Sequence, residues 1–119
     1  MSQSSRLRIV SVAAIFDGKQ EKNPMAQSTA DVATEHGSKY LQQLCKHWSH
    51  KMVTEFDPAK GRVDFPSGAQ LFLEADGSSL HLKLDASEDS LDRMEGVVAD
   101  HLKRFAFREE LVFDWAKAA

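Results

Sequence analysis

Between residues 62 and 84 the chain alternates apolar and polar side chains in three short runs joined by short turns. The runs are Arg62-Val63-Asp64-Phe65, Gln70-Leu71-Phe72-Leu73-Glu74 and Leu80-His81-Leu82-Lys83-Leu84, and between them lie Pro66-Ser67-Gly68 and Asp76-Gly77. Asp-Gly is a strong hairpin signal, because such a pair accepts the backbone angles of a tight two-residue turn. Leu80, Leu82 and Leu84 alternate with His81 and Lys83, as on a strand with one buried and one wet face. An antiparallel meander follows, and its apolar side needs a second layer to cover it.

Two helical segments flank the meander. Leu41, Leu44, Cys45, Trp48 and Met52 recur at helical spacing behind Ser38, a predicted N-cap. This helix is expected to fray over 49–51, because Val53, Thr54 and Phe56 are strand-formers running toward Asp57-Pro58. The second helix carries Leu91, Met94, Val98, Leu102 and Phe105 on one face, with Ser87 or Ser90 as its cap. Its acidic start at Glu88, Asp89, Asp92 and Glu95, and its basic end at Lys103 and Arg104, suit the helix dipole. Residues 29–34 read as a first strand, and Leu111, Phe113 and Trp115, alternating with Val112 and Asp114, read as a last one. The predicted order is strand, helix, four strands, helix, strand. That is an α+β domain, a mainly antiparallel sheet with two helices on one face.

At 119 residues the chain suits one domain, and it can bury enough surface to fold without a metal or disulfide. Lys plus Arg is 15 against 18 for Asp plus Glu, a net charge of −3, which argues against a broadly basic nucleic-acid binder. The single cysteine, Cys45, allows no internal disulfide and points to a reducing cytoplasm. The apolar run from Ile9 to Phe16 follows Arg6 and Arg8, but it has eight residues, includes Ser11 and ends in Asp17-Gly18-Lys19. It matches neither a signal peptide nor a membrane span. Residues 18–24 read as a linker, so 1–24 are expected to be an N-terminal extension or appended strand, and 25–119 a single α+β domain.

The densest polar string is Cys45-Lys46-His47-Trp48-Ser49-His50-Lys51. On a helix Cys45 and Trp48 fall in the buried stripe, while His47 and His50 lie about 60° apart and could share a metal with a ligand from elsewhere. His101 is the candidate third ligand and His81 a weaker fourth, whereas the plainer alternative makes these histidines solvated helix-end residues. Cys45 could be activated by Lys46 or His47, but its place in the stripe favours an inert buried thiol. A second basic group, His101, Lys103, Arg104 and Arg108, could join Lys46, His47 and Lys51 as a pocket for a carboxylate or phosphate, with Phe105 and Phe107 as walls. Its alternative is a solvated helix end with Arg108 paired to a glutamate. Trp48, Phe72 and Trp115 read as core aromatics. The sequence contains no glycine-rich phosphate loop, nucleophile elbow, zinc-protease helix or calcium loop.

Residues 38–51, SKYLQQLCKHWSHK, and 101–109, HLKRFAFRE, carry a family resemblance. They resemble the signature stretches of a small bacterial family, domain of unknown function 2218, over residues 28–116. The resemblance implies the fold and a bacterial origin more than a mechanism, since the family has no established activity. Similar proteins are sometimes labelled aldolases of the homoprotocatechuate pathway, but 119 residues are too few for the barrel such enzymes use. Members of the family turn up near siderophore-handling genes, so the resemblance implies iron-related physiology by association. The resemblance draws attention to Tyr40, His47, Trp48, His50, Lys51, His101, Arg104 and Arg108.

The leading expectation is a cytoplasmic binding domain, not an enzyme, that holds a small anionic ligand or ferric chelate at two basic helix ends. Arg104 and Arg108 would make charge-assisted bonds and Lys51 would add charge, with His47, His101, Tyr40, Trp48 and Phe107 completing the site. One alternative is a metal-handling protein or metalloenzyme holding iron or zinc on His47, His50 and His101, with Glu109 as base. Another is an interaction module, a homodimer for instance, that pairs through its sheet face or final strand.

Overall fold

The computed structural model describes residues 25–118; the expected extension or appended strand at 1–24 lies outside the described residues. The elements are β1 (Met25–Ala33), α1 (Gly37–Trp48), β2 (Val53–Phe56), β3 (Lys60–Asp64), β4 (Gln70–Ala75), β5 (Ser79–Ser87), α2 (Leu91–Phe105) and β6 (Ala116–Lys117). The strands form one six-stranded sheet in the order β2-β3-β4-β5-β1-β6, and every neighbouring pair is antiparallel. The fold is α+β, with the element order that the periodicities predict.

Register explains why both helices share one face. Val63 opposes Leu71, Leu71 opposes Leu84, Leu73 opposes Leu82, and Ala30 and Val32 oppose Leu82 and Leu80. These side chains are buried, whereas Thr29, Asp31, Glu74 and Lys83 on the other face are exposed. Helix α1 packs across β2 to β5, and α2 packs on β5 and β1. Leu41, Leu44 and Leu102 of the helices and Leu71, Leu80 and Leu84 of the sheet are fully buried. Each contributes on the order of 2 kcal/mol of burial.

Several local expectations are corrected. Helix α1 starts one residue before Ser38, whose hydroxyl donates instead to the carbonyl of Pro58 at 2.5 Å and ties the helix to the β2–β3 turn. Gly37 opens the helix in close contact with the sheet, where an added Cβ would lie 3.1 Å from the Ser79 carbonyl oxygen. Ser90 does precede α2, but its hydroxyl meets that of Ser87 at 2.8 Å rather than a backbone N–H. Residues 111–115 form no strand; the final strand is Ala116–Lys117, paired with Thr29 and Ser28. The alternation there records one-sided burial, since Leu111 is buried and the half-buried rings of Phe113 and Trp115 stack with centroids 6.2 Å apart. The short strand is pinned by Lys117, whose ammonium lies 2.8 Å from Asp92 and 3.3 Å from Glu95. Glu95 is buried and also accepts a 2.6 Å bond from the hydroxyl of Ser28 on β1.

Candidate functional site

Helices α1 and α2 lie side by side with opposite directions. His101 near the end of α2 meets His47 and Trp48 in the last turn of α1, and the chain leaving α2 carries Glu109 back to Tyr40 in the first turn. This return path closes a cleft of about 660 Å³ lined by Thr34, Glu35, His36, Lys39, Tyr40, Phe107, Arg108 and Glu109.

A hydrogen-bonded chain organises one wall. The His36 N–H donates to Thr34 Oγ1 at 3.1 Å, Thr34 Oγ1 donates to Glu109 Oε2 at 3.0 Å, and the Tyr40 hydroxyl donates to the same carboxylate oxygen. Burial, and then the bond to Glu109, push the Tyr40 phenol up to about 12. The Tyr40 bond, foremost, holds the Glu109 carboxyl below the usual carboxylate range. At neutral pH Tyr40 is therefore a neutral donor and Glu109 an ionised acceptor. Phe107 and Arg108 add a ring and a cation to the lining. Phe107 is 77% exposed, and the Arg108 guanidinium lies 5.3 Å from its ring centre. This turn exposes Phe107 because α2 has ended: the Ala106 N–H closes on Leu102, and the Glu109 N–H closes on Ala106.

The predicted site residues divide between two places. Tyr40 and Arg108 line the cleft. His47, Trp48 and His101 form a separate aromatic cluster with Phe65 and Phe105. Tyr40 and His47 are two helical turns apart, about 10 Å along the axis. Arg104 is exposed in the last turn of α2, while His50 and Lys51 are exposed in the turn after α1. The residues expected in one pocket lie apart: Arg108 lines the cleft at the start of α1, whereas Lys51 follows that helix's far end. Lys39 and Thr34 are the unforeseen members. Thr34 and Glu109 are 75 positions apart, so no local spacing joins them.

Among the described residues, no group of three His, Cys, Asp or Glu side chains is arranged to hold a metal. Glu109, the base expected beside the histidines, is engaged through Oε2 by Tyr40 and Thr34. His81 lies on the open sheet face, away from the helices, bonded to Asp31 at 2.6 Å and Asp76 at 3.0 Å. Cys45 is buried, and burial pushes its thiol up to about 11, so it stays protonated and unreactive. Trp48 is a core aromatic, edge-on to Phe65 at 5.1 Å. Phe72, expected in the core, instead turns to the open face beneath Lys83, whose ammonium is 5.1 Å from its ring centre.

The Asp31 and Asp76 bonds, in that order, raise the His81 imidazole above 6.5, and its bond in turn lowers Asp76 to about 2. A raised folded pKa contributes stability that is complete below 6.5 and is lost as pH rises through the folded value. The Asp76 contribution runs the other way, fading as pH falls from about 4 toward 2. An NMR titration of the His81 ring is expected to give a midpoint above 6.5 that drops in Asp31→Asn. A midpoint at or below 6.5 in the wild type would contradict the ion-pair geometry.

A family model described as "Uncharacterized protein conserved in bacteria (DUF2218)" matches residues 29–116. The chain belongs to this family. Among solved structures, this DUF2218 chain is similar to the NMR structure of PA4090 from Pseudomonas aeruginosa, with 40% sequence identity and a TM-score of 0.65. The match covers 76% of this chain and 95% of that one. No curated protein matches. Among the described residues, no helix of this family member is long and apolar enough to cross a membrane.

Proposed function

We propose that this DUF2218 protein is a small binding domain for an organic anion, ferric chelates included, held between the first turn of α1 and the Phe107–Glu109 turn. The supporting observation is a cleft of ligand size in which two cations, Lys39 and Arg108, stand outside any ion pair while one of its two carboxylates, Glu109, is already hydrogen-bonded and the other, Glu35, is exposed. Among the described residues neither Lys39 nor Arg108 forms an ion pair, and Glu109 accepts from two hydroxyls. A ligand carboxylate or phosphate would take the forked donors of Arg108 and the point charge of Lys39. The exposed ring of Phe107 would cover the ligand's apolar part. Glu109 disfavours a second negative charge at the cleft wall and favours a hydroxyl or N–H there.

Thermal-shift measurements with citrate, ferric citrate, phosphate and phenylphosphate test this. At a hundredfold excess over Kd a binder stabilises the fold by about 2.7 kcal/mol. At least one of the four is expected to raise Tm, and Arg108→Ala is expected to weaken its affinity about tenfold or more. No shift with any of them, or a shift unaltered in both Arg108→Ala and Lys39→Ala, would overturn the proposal.

A further inference from the structure

The second cluster lies outside the cleft, and its chemistry is different. His47 on α1 and His101 on α2 lie in ring contact, with centres 5.5 Å apart and planes tilted by 46°. His101 Nδ1 lies 2.7 Å from the carbonyl oxygen of Val97. A carbonyl can only accept, so Nδ1 carries a proton, and the tautomer this bond selects has its lone pair at Nε2. This is the arrangement by which an outer hydrogen bond sets the tautomer of a metal-ligating histidine. Trp48 lies 5.0 Å from His101, and Phe105 lies 5.9 Å, edge-on, from the exposed ring of His47.

Two imidazoles that share one tetrahedral ion at metal–nitrogen distances of about 2 Å place their ring centres about 5 Å apart. The observed separation of 5.5 Å between ring centres is of that size. We infer that His47 and His101 form a two-histidine site for a late first-row divalent ion, Cu²⁺ or Zn²⁺. Two neutral nitrogens suit these borderline ions rather than Mg²⁺, Ca²⁺ or Fe³⁺, which prefer oxygen. The two histidines fill half of a tetrahedral shell and leave the other positions to water or an exchangeable ligand. His50, in the exposed turn beyond α1, takes no part. The site is independent of the cleft, since it shares no residue with the Lys39 and Arg108 walls.

Isothermal titration of the full chain with Cu²⁺ in a non-coordinating buffer, repeated with Zn²⁺ and Mg²⁺, reads the site directly. Saturable binding of one Cu²⁺ and one Zn²⁺ per chain is expected, with none of Mg²⁺. His47→Ala changes an exposed side chain and leaves the fold intact, so it is the deciding variant; it should weaken binding by about tenfold or more. His101→Gln should do the same, with Tm confirming that it folds, while His50→Ala and Arg108→Ala should match the wild type. Absence of saturable Cu²⁺ and Zn²⁺ binding, or affinity unchanged in His47→Ala, or an equal loss in His50→Ala, would overturn the assignment.

Discussion

Gly61→Ala is expected to destabilise the protein by about 2 kcal/mol, and Gly61→Val by more, because the core has no room for the added carbon. A Cβ at Gly61 would lie 2.9 Å from Cys45 Sγ and 3.3 Å from Leu41 Cδ2, both on fully buried side chains of α1. Strand β3 carries α1 directly above this position, so the clash is relieved by displacing the closely packed Cys45 and Leu41 side chains or by lifting the helix from the sheet. The prediction has an internal control. Cys45→Ala alone should cost about 1 kcal/mol through lost contact, but in the double variant the new methyl occupies space the sulfur has left. Chemical denaturation of all four proteins should give a double variant more stable than the sum of single effects predicts, by about 1 kcal/mol or more. Strict additivity would show that Gly61 and Cys45 do not share that space.

Tyr40→Phe is the second large effect, a loss of about 2 kcal/mol near neutral pH, because a buried donor to an ionised acceptor is removed. Its pH dependence has a definite sign. The folded pKa of Glu109 is depressed, so the stability it contributes is present above the unfolded carboxyl value, about 4.3, and is lost as pH falls through the folded value. The difference between wild type and Tyr40→Phe should therefore be greatest at pH 6 to 7 and shrink on acidification. In Glu109→Gln most of that difference should disappear at every pH. A gap between wild type and Tyr40→Phe that is constant from pH 7 to 3 would mean that the phenol stabilises by packing alone.

Local chemistry made much of this fold legible. Leu80, Leu82 and Leu84 announced a one-faced strand, and Leu91, Met94, Val98 and Leu102 announced a buried helical stripe; all seven are buried as their spacing requires. What stayed hidden depended on pairing. Phe72 alternates correctly between Leu71 and Leu73, but its ring belongs to the open face, because the two leucines that flank it take the core. Leu111 to Trp115 has the alternation of a strand without its ladder, because one-sided burial leaves the same pattern in sequence.

The candidate site was legible in pieces. Tyr40 and Arg108 stood out as polar and aromatic members of the two signature stretches, and both line the cleft. Their partners Thr34 and Lys39 did not, because the cleft joins the end of β1 to a turn far along the chain. Grouping cations by helix end placed Lys51 and Arg104 with Arg108. The opposed directions of α1 and α2 instead deliver Arg108 to the first turn of α1. His47 and His101 had been joined with His50, and the helix contact retains only the first pair.

The most direct test of the cleft assignment is an amide chemical-shift titration of the isotope-labelled full chain with the tightest-binding anion from the thermal-shift panel. The account predicts saturating shifts concentrated at Thr34 to Tyr40 and Phe107 to Glu109, abolished in Arg108→Ala. Shifts centred on Lys51 and Arg104, or none that saturate, would contradict it.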